Sequence, residues 1–413
     1  MLFDPARHEP LRAMPWDPAR AQAAIDWIVR ATCRDGTPDR GWPTHPKDLE
    51  PADDAAQEST TLYFGTTGVV WALRYLESVG AVAPGTAPAV DLASLRERNR
   101  AWLNAQGLQG EQAAGSYLMG ELPIALMAYA DASGASQVAR LAALIDANLD
   151  HPARELMWGA PGSLLAASFL HERTGDARWA EACRRIAGRL EQQLQWSDEH
   201  RCHYWRQDLY GHRCSYLDGV HGFVATAHGL IRSRHLLGAG AWQRWQQRIV
   251  ETVARSATRE AGLANWRPEL IGPKDRPPKM LMQFCHGAPG FIVCLRRLPC
   301  ADLDELLLEA GEAIWAAGPL TKGSNLCHGT AGNGYAFLVL HERTGDARWL
   351  QRARAFAMHA IAQAEADAAI HGRLRYSLWT GDLGLALFLW DCLRGRAAFP
   401  TLDVFYGVPP SAD

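Results

Sequence analysis

The chain has 413 residues, 48% of them hydrophobic, and a formal net charge of −3. That is ample for a large buried core, and the lack of a basic surplus argues against an electrostatic nucleic-acid binder. Length alone favours two or more domains, except that repeat-built folds run long as one unit.

From the N-terminus, residues 1–20 carry charge from Asp4 onward and contain no apolar stretch of signal-peptide type, so they read as an extension of the fold. The longest apolar runs are interrupted well short of a bilayer's thickness, so no membrane span is expected. Nine cysteines, an odd number without framework spacing, read as free thiols in a reducing, cytoplasmic setting.

The first recurring element is FGTTG at 64–68, followed by the apolar run VVWAL. The same unit returns along the chain as MGELP (119–123), WGAPG (158–162), HGFVA (221–225), HGAPG (286–290), HGTAG (328–332) and TGDLG (380–384). The nonapeptide HERTGDARW occurs twice, at 171–179 and 341–349. First glycines are 39 to 65 residues apart, an irregularity that loop insertions explain. Each motif opens a strongly apolar stretch, which marks a buried helix. Between them lie amphipathic segments such as 179–190, where Trp179, Cys183, Ile186 and Leu190 recur at helical spacing.

Each unit is therefore a buried inner helix plus a solvated outer one. Seven such hairpins, about fourteen helices, close most economically as an all-α, α/α toroid around a central cavity. One domain over 1–413 is expected. Segments 36–57, 196–216 and 264–282, rich in Pro, Trp and charge, read as surface loops or lids. Four residues before each first glycine stand Thr61, Ser116, Glu155, Asp218, Gln283, Asn325 and Ser377. All are polar and most are good N-caps, so the inner helices are expected to start there.

The chemistry lies in the two residues before each first glycine. In chain order they are Tyr-Phe, Leu-Met, Met-Trp, Val-His, Cys-His, Cys-His and Trp-Thr. Repeats four to six thus place His221, Cys285, His286, Cys327 and His328 where the others are essentially apolar. Equivalent positions of adjacent hairpins share one rim of a toroid, so these groups converge. Thiolate and imidazole suit Zn2+, and two thiolates with one imidazole leave an open fourth position, the pattern of catalytic zinc. Cys285 and Cys327 are the expected ligands; the residues leave His328 and His286 both open as the third. His221 occupies the motif register, whereas His228 falls inside the following helix. Glu155 departs from the capping types. Lys322, five residues before Cys327, is either a solvated loop lysine or a cation facing developing negative charge.

QFCHGAPG (283–290) and NLCHGTAGNGYAFL (325–338) resemble the zinc motifs of the lanthionine synthetase C-like family, and the repeats extend the resemblance over essentially the whole chain. The resemblance implies a double-layered α/α toroid and the zinc ligands Cys285, Cys327 and His328. It also implies an acid/base histidine at His221. His286, Lys322 and a glutamate at 155 match the eukaryotic-type, glutathione-adding members more closely than the lantibiotic cyclases. HGFVA departs from the family pattern by ending in Ala225. The implied reaction is addition of a thiol, from peptide cysteine or glutathione, to dehydroalanine or dehydrobutyrine in a peptide or protein. Glu155 and Lys322 would hold the substrate amide or stabilise the enolate. A non-catalytic, zinc-containing protein that binds glutathione or peptide is the alternative.

Overall fold

The computed structural model describes residues 1–49, 58–272 and 279–407. The expected segments 36–57 and 264–282 therefore lie partly outside the described residues. Fifteen α-helices are present among the described residues. In chain order they are α1 (Pro18–Asp35), α2 (Thr66–Ser78), α3 (Leu92–Ala105), α4 (Glu111–Ala114), α5 (Leu122–Asp131), α6 (Ala135–Ala147), α7 (Ala160–Thr174) and α8 (Ala177–Gln193). There follow α9 (Phe223–Arg232), α10 (Ala239–Ser256), α11 (Ala288–Cys294), α12 (Asp304–Ala317), α13 (Thr330–Thr344), α14 (Ala347–His371) and α15 (Asp382–Arg394).

The expected α/α toroid is the architecture observed. Helices α2, α5, α7, α9, α11, α13 and α15 each pack on the next, and α15 returns to α2, closing an inner ring of seven. The helices α1, α3, α6, α8, α10, α12 and α14 pack outside it. Inner helices are apolar on all sides because all sides are covered; α7 is buried from Ala160 to Leu170. Outer α8 buries only the stripe that contains Trp179, Cys183, Ile186 and Leu190.

The duplicated nonapeptide is the elbow between the layers. Gly175 (φ 67°) and Gly345 (φ 71°) end α7 and α13 in the left-handed region that favours glycine. Directly after them, the Asp176 and Asp346 side chains accept from Arg178 N and Arg348 N and start α8 and α14.

The strands among the described residues lie in the connections between helices: β1 (Gln195–Ser197) with β2 (Cys202–Tyr204), β3 (Gln207–Leu209) with β4 (His212–Cys214), and β5 (Ala257–Glu260) with β6 (Leu263–Trp266). All three pairs are antiparallel hairpins.

Two expectations need correction. The inner helices start after the first glycine, which is their N-cap at Gly65, Gly159, Gly222, Gly287, Gly329 and Gly381. The polar residue four before it caps a tight turn instead: Thr61 Oγ1 accepts from Phe64 N (3.1 Å), Asp218 Oδ1 from His221 N (2.7 Å) and Asn325 Oδ1 from His328 N (3.0 Å). The turn folds back over the helix, whose first N–H groups bond carbonyls seven residues earlier, as Thr330 N does with Gly323 O (2.9 Å). Glycine is needed because a Cβ on Gly332 would lie 1.8 Å from Leu326 O, and one on Gly222 would lie 1.9 Å from Asp218 N.

Nor is the centre of the ring an open cavity. Residues 397–406 run through it and meet the inner wall on all sides. Trp71 Nε1 donates to Phe405 O (2.8 Å), Tyr117 Oη to Thr401 O (2.6 Å), and a His228 ring nitrogen lies 3.1 Å from Leu402 O. Phe169 meets Phe405, and Phe399 packs among Phe284, Tyr335 and Trp379. This tail fills the centre between the inner helices.

Candidate metal centre and its rim

A main-chain belt runs around that rim, made by the residues two before each first glycine. Leu118 N donates to Met157 O, Tyr63 N to Leu118 O, Trp379 N to Tyr63 O, Cys327 N to Trp379 O and Cys285 N to Cys327 O, at 2.9 to 3.1 Å. The seventh member, Val220, would close the belt between Cys285 and Met157. It does not, because carboxylates take the N–H groups required: Asp218 Oδ1 accepts from Val220 N (3.0 Å) and Glu155 Oε2 from Met157 N (2.9 Å). The belt thus joins six repeats and opens at the fourth.

The belt brings Cys285 and Cys327 side by side. Their sulfurs and a His328 ring nitrogen lie within 4.8 Å of one another, a set able to hold a metal ion. Both cysteines are buried. The Cys285 thiol is pushed well above its usual range, first by its hydrogen bond with Cys327 and then by burial. A divalent ion between the two sulfurs would favour both as thiolates. Each sulfur also accepts a side-chain hydrogen bond, from Tyr63 Oη to Cys327 (2.8 Å) and from Gln283 Nε2 to Cys285 (2.9 Å). The donor set fits a thiophilic tetrahedral ion with one position left open.

Two histidine–carboxylate pairs stand in the gap of the belt. His221 Nδ1 lies 2.9 Å from Glu155 Oε2. Burial alone disfavours the imidazolium, but the Glu155 hydrogen bond and charge outweigh it and raise the His221 pKa to about 9. Glu155 is fully buried, and its other oxygen accepts from Trp158 N (2.6 Å). Both Glu155 oxygens are engaged with this turn and with His221. The second pair is His286 with Asp218, an ion-pair contact of 2.7 Å that lies off hydrogen-bond geometry. Here too burial opposes the charge, and Asp218 overcomes it to lift His286 to about 9. The two imidazoles are 6.5 Å apart, and the Tyr216 ring lies against both.

His228 is elsewhere. It is buried inside α9, its ring nitrogens facing Cys294 O and Leu402 O at 3.2 and 3.1 Å. Lys322 is exposed and lines a cavity of about 430 Å3 together with His328, Tyr63, Arg375, Tyr376 and Lys47. Lys47 is paired with Asp367, and Arg375 with Asp48. Lys322 has no hydrogen bond or ion pair among the described residues.

Four features of this site escape a reading of the sequence. Tyr63 ranks there with the apolar register positions, although its hydroxyl reaches Cys327. Gln283 and Asp218 read only as polar residues at an expected helix start. Arg375 has no role at all. The available signal is polarity: Tyr63 is a phenol among apolar equivalents, and repeats three and four alone carry carboxylates four before the glycine.

Comparison with known proteins supplies a family. The family model for lanthionine synthetase C-like proteins matches residues 124–404. "Glutathione S-transferase LANCL1" of Danio rerio is 33% identical over 195 residues, covering 44% of this chain and 46% of that protein. "LanC-like protein GCL1" of Arabidopsis thaliana is 41% identical over 88 residues, 20% of each. The matches thus span less than half the length of these curated relatives. Among solved structures, nisin cyclase superposes with a TM-score of 0.53 over 91% of this chain and 98% of its own, at 14% identity, a likeness of fold.

Proposed function

The chain belongs to the lanthionine synthetase C-like family, and from that premise we propose that it adds a thiol to the β-carbon of dehydroalanine or dehydrobutyrine in a peptide or protein, forming a thioether. The observation that carries this reading is one rim holding both parts of the chemistry: the Cys285–Cys327–His328 cluster and, beside it, the His221–Glu155 pair.

Zinc held by Cys285, Cys327 and His328 would supply an open position for a sulfur and make the thiol acidic at neutral pH. The remaining steps belong to the chain's own groups. The thiol sulfur gives its electron pair to the β-carbon, the C=C π pair moves onto the adjoining amide as an enolate, and a proton then arrives at the α-carbon. One S–H and one π bond are lost; one S–C and one C–H bond form. Glu155 holds Nδ1 of His221, which fixes the ring and leaves Nε2 of the imidazolium as the nitrogen that gives its proton to the enolate and recovers one from the next thiol. Glu155 is thus a positioning residue.

Glutathione is the favoured donor. The cavity beside His328 presents Lys322 as a cation with no partner among the described residues, suited to a carboxylate of a small anionic thiol. The Danio rerio relative is named a glutathione S-transferase. The nine free cysteines fit a reducing, cytoplasmic setting.

The test is product formation. Zinc-loaded protein is incubated with glutathione and a dehydroalanine peptide, and the expected result is a peptide heavier by one glutathione. A folded, zinc-loaded protein that binds glutathione without turnover would overturn the reading in favour of a binding module. Turnover with a cysteine-containing dehydropeptide alone would replace the donor.

A further inference from the structure

We propose that Tyr63, and Arg7 acting through Gln283, tune the metal centre by donating one hydrogen bond to each cysteine sulfur, so that the metal stays electrophilic enough to hold a third sulfur. The inference rests on the zinc–thiol reading above.

The geometry is one donor per sulfur. Tyr63 Oη lies 2.8 Å from Cys327 Sγ, and Gln283 Nε2 lies 2.9 Å from Cys285 Sγ. Behind the second donor, Arg7 Nη2 donates to Gln283 Oε1 at 2.9 Å. A guanidinium on the amide oxygen polarises the amide and strengthens its N–H as a donor. Tyr63 reaches Cys327 from repeat one because the rim belt sets Tyr63, Trp379 and Cys327 in consecutive places.

Arg7 is held by the N-terminal segment, which is bonded to the loops before the two cysteines. Thr321 N and Oγ1 donate to Arg7 O at 3.0 and 3.1 Å, and Glu9 N donates to Pro319 O at 2.9 Å. Asn265 Nδ2 bonds Leu2 O at 2.7 Å and Leu281 O at 2.9 Å. The segment that reads from sequence as an extension is therefore part of the wall of the metal centre.

Charge gives the arrangement a purpose. Two thiolates neutralise a divalent cation, so a third sulfur anion leaves the cluster with net negative charge in a buried place. A hydrogen bond to a ligand sulfur draws electron density off it and leaves the cation more able to attract another sulfur. Tyr63 and Gln283 are positioning residues, acting through the ligands rather than on substrate.

The experiment uses the whole 413-residue chain loaded with Co2+ in place of zinc. Tyr63→Phe is expected to move the sulfur-to-cobalt charge-transfer band to longer wavelength at full loading. It should also raise by roughly one unit the pH at which added glutathione perturbs the spectrum, given the strength of bonds to charged groups. Arg7→Met, which leaves the ligands and their neighbours intact, should move both in the same direction by less. Bands and midpoints unchanged in both variants would overturn the proposal, and Arg7→Met keeps it testable if Tyr63→Phe folds poorly. The resting cobalt spectrum tests the donors whether or not a dehydroalanine peptide is converted, so failure of the proposed function is read separately.

Discussion

Two arcs of the rim share one backbone and differ in what it carries. In the arc of repeats seven, one, two and three, the belt runs unbroken through Trp379, Tyr63, Leu118 and Met157. In the arc of repeats four to six, the same glycine-capped turns carry Cys327, Cys285 and Val220, and the belt stops where Asp218 and Glu155 occupy its N–H groups. The plain arc shows what the turn needs in order to fold. The working arc shows what is added: two sulfurs and an imidazole, then two histidines, whose carboxylates (Asp218 and, from the neighbouring repeat three, Glu155) interrupt the belt. Folding and chemistry thus share positions, and variants can separate them.

The strongest break is Cys327→Ala. It removes one proposed ligand and leaves the belt, which uses the Cys327 main chain. Zinc by mass spectrometry should fall well below one per chain, with thioether formation lost; full occupancy would dissolve the difference between the arcs. His221→Ala comes next. It should retain zinc while slowing addition by about 10²- to 10⁴-fold, the range for loss of a positioned acid/base. Unaltered turnover would move that role to His286 or Lys322.

A paired variant then sharpens the comparison. Gly68→Ala and Gly332→Ala place a methyl against the equivalent carbonyl of each arc, 2.2 Å from Leu62 O and 1.8 Å from Leu326 O. Each should cost roughly 1–3 kcal/mol in chemical denaturation. Only Gly332→Ala should also weaken zinc retention, because the displaced turn carries Cys327 and His328. Equal zinc retention would mean that the turn does not position the ligands.

Glu155→Gln addresses the gap in the belt. The His221 pKa is raised from 6.5 to about 9, against the pull of burial, by the Glu155 hydrogen bond and charge. A folded-state pKa above the unfolded one stabilises fully below about 6.5, and that contribution is lost as pH rises through about 9. The unaltered protein should therefore lose stability across that window, and Glu155→Gln should flatten the loss. An unchanged slope would assign it to His286 and Asp218.

Much of this is legible in the sequence because repeats align themselves. The glycine register, the buried runs and the seven-fold count follow from local sequence, and register alone puts Cys285, Cys327, His328 and His221 on one rim. The helix starts are misplaced by that reading because Thr61, Asp218 and Asn325 are capping types, and sequence does not distinguish capping a helix from capping the turn before it. The filled centre is invisible to it because residues 397–406 belong to no repeat; their contacts are long-range. Tyr63 is hidden for a related reason, since a tyrosine scores as apolar until something stands at its hydroxyl.

The smallest expected effect separates two histidines seven residues apart. His221 sits at the rim with a carboxylate, and His228 sits in α9 between the carbonyls of Cys294 and Leu402. A neutral imidazole donates to only one of those carbonyls, and burial lowers the His228 pKa, so the neutral ring is the resident form. His228→Gln keeps a donor of comparable reach and should cost about 1 kcal/mol, the worth of one imperfectly replaced hydrogen bond. Zinc content and the rate of addition should remain those of the unaltered protein. A lost rate with retained zinc would mean that the central tail, held at Leu402 by this ring, communicates with the rim, and the two arcs would no longer suffice to describe the site.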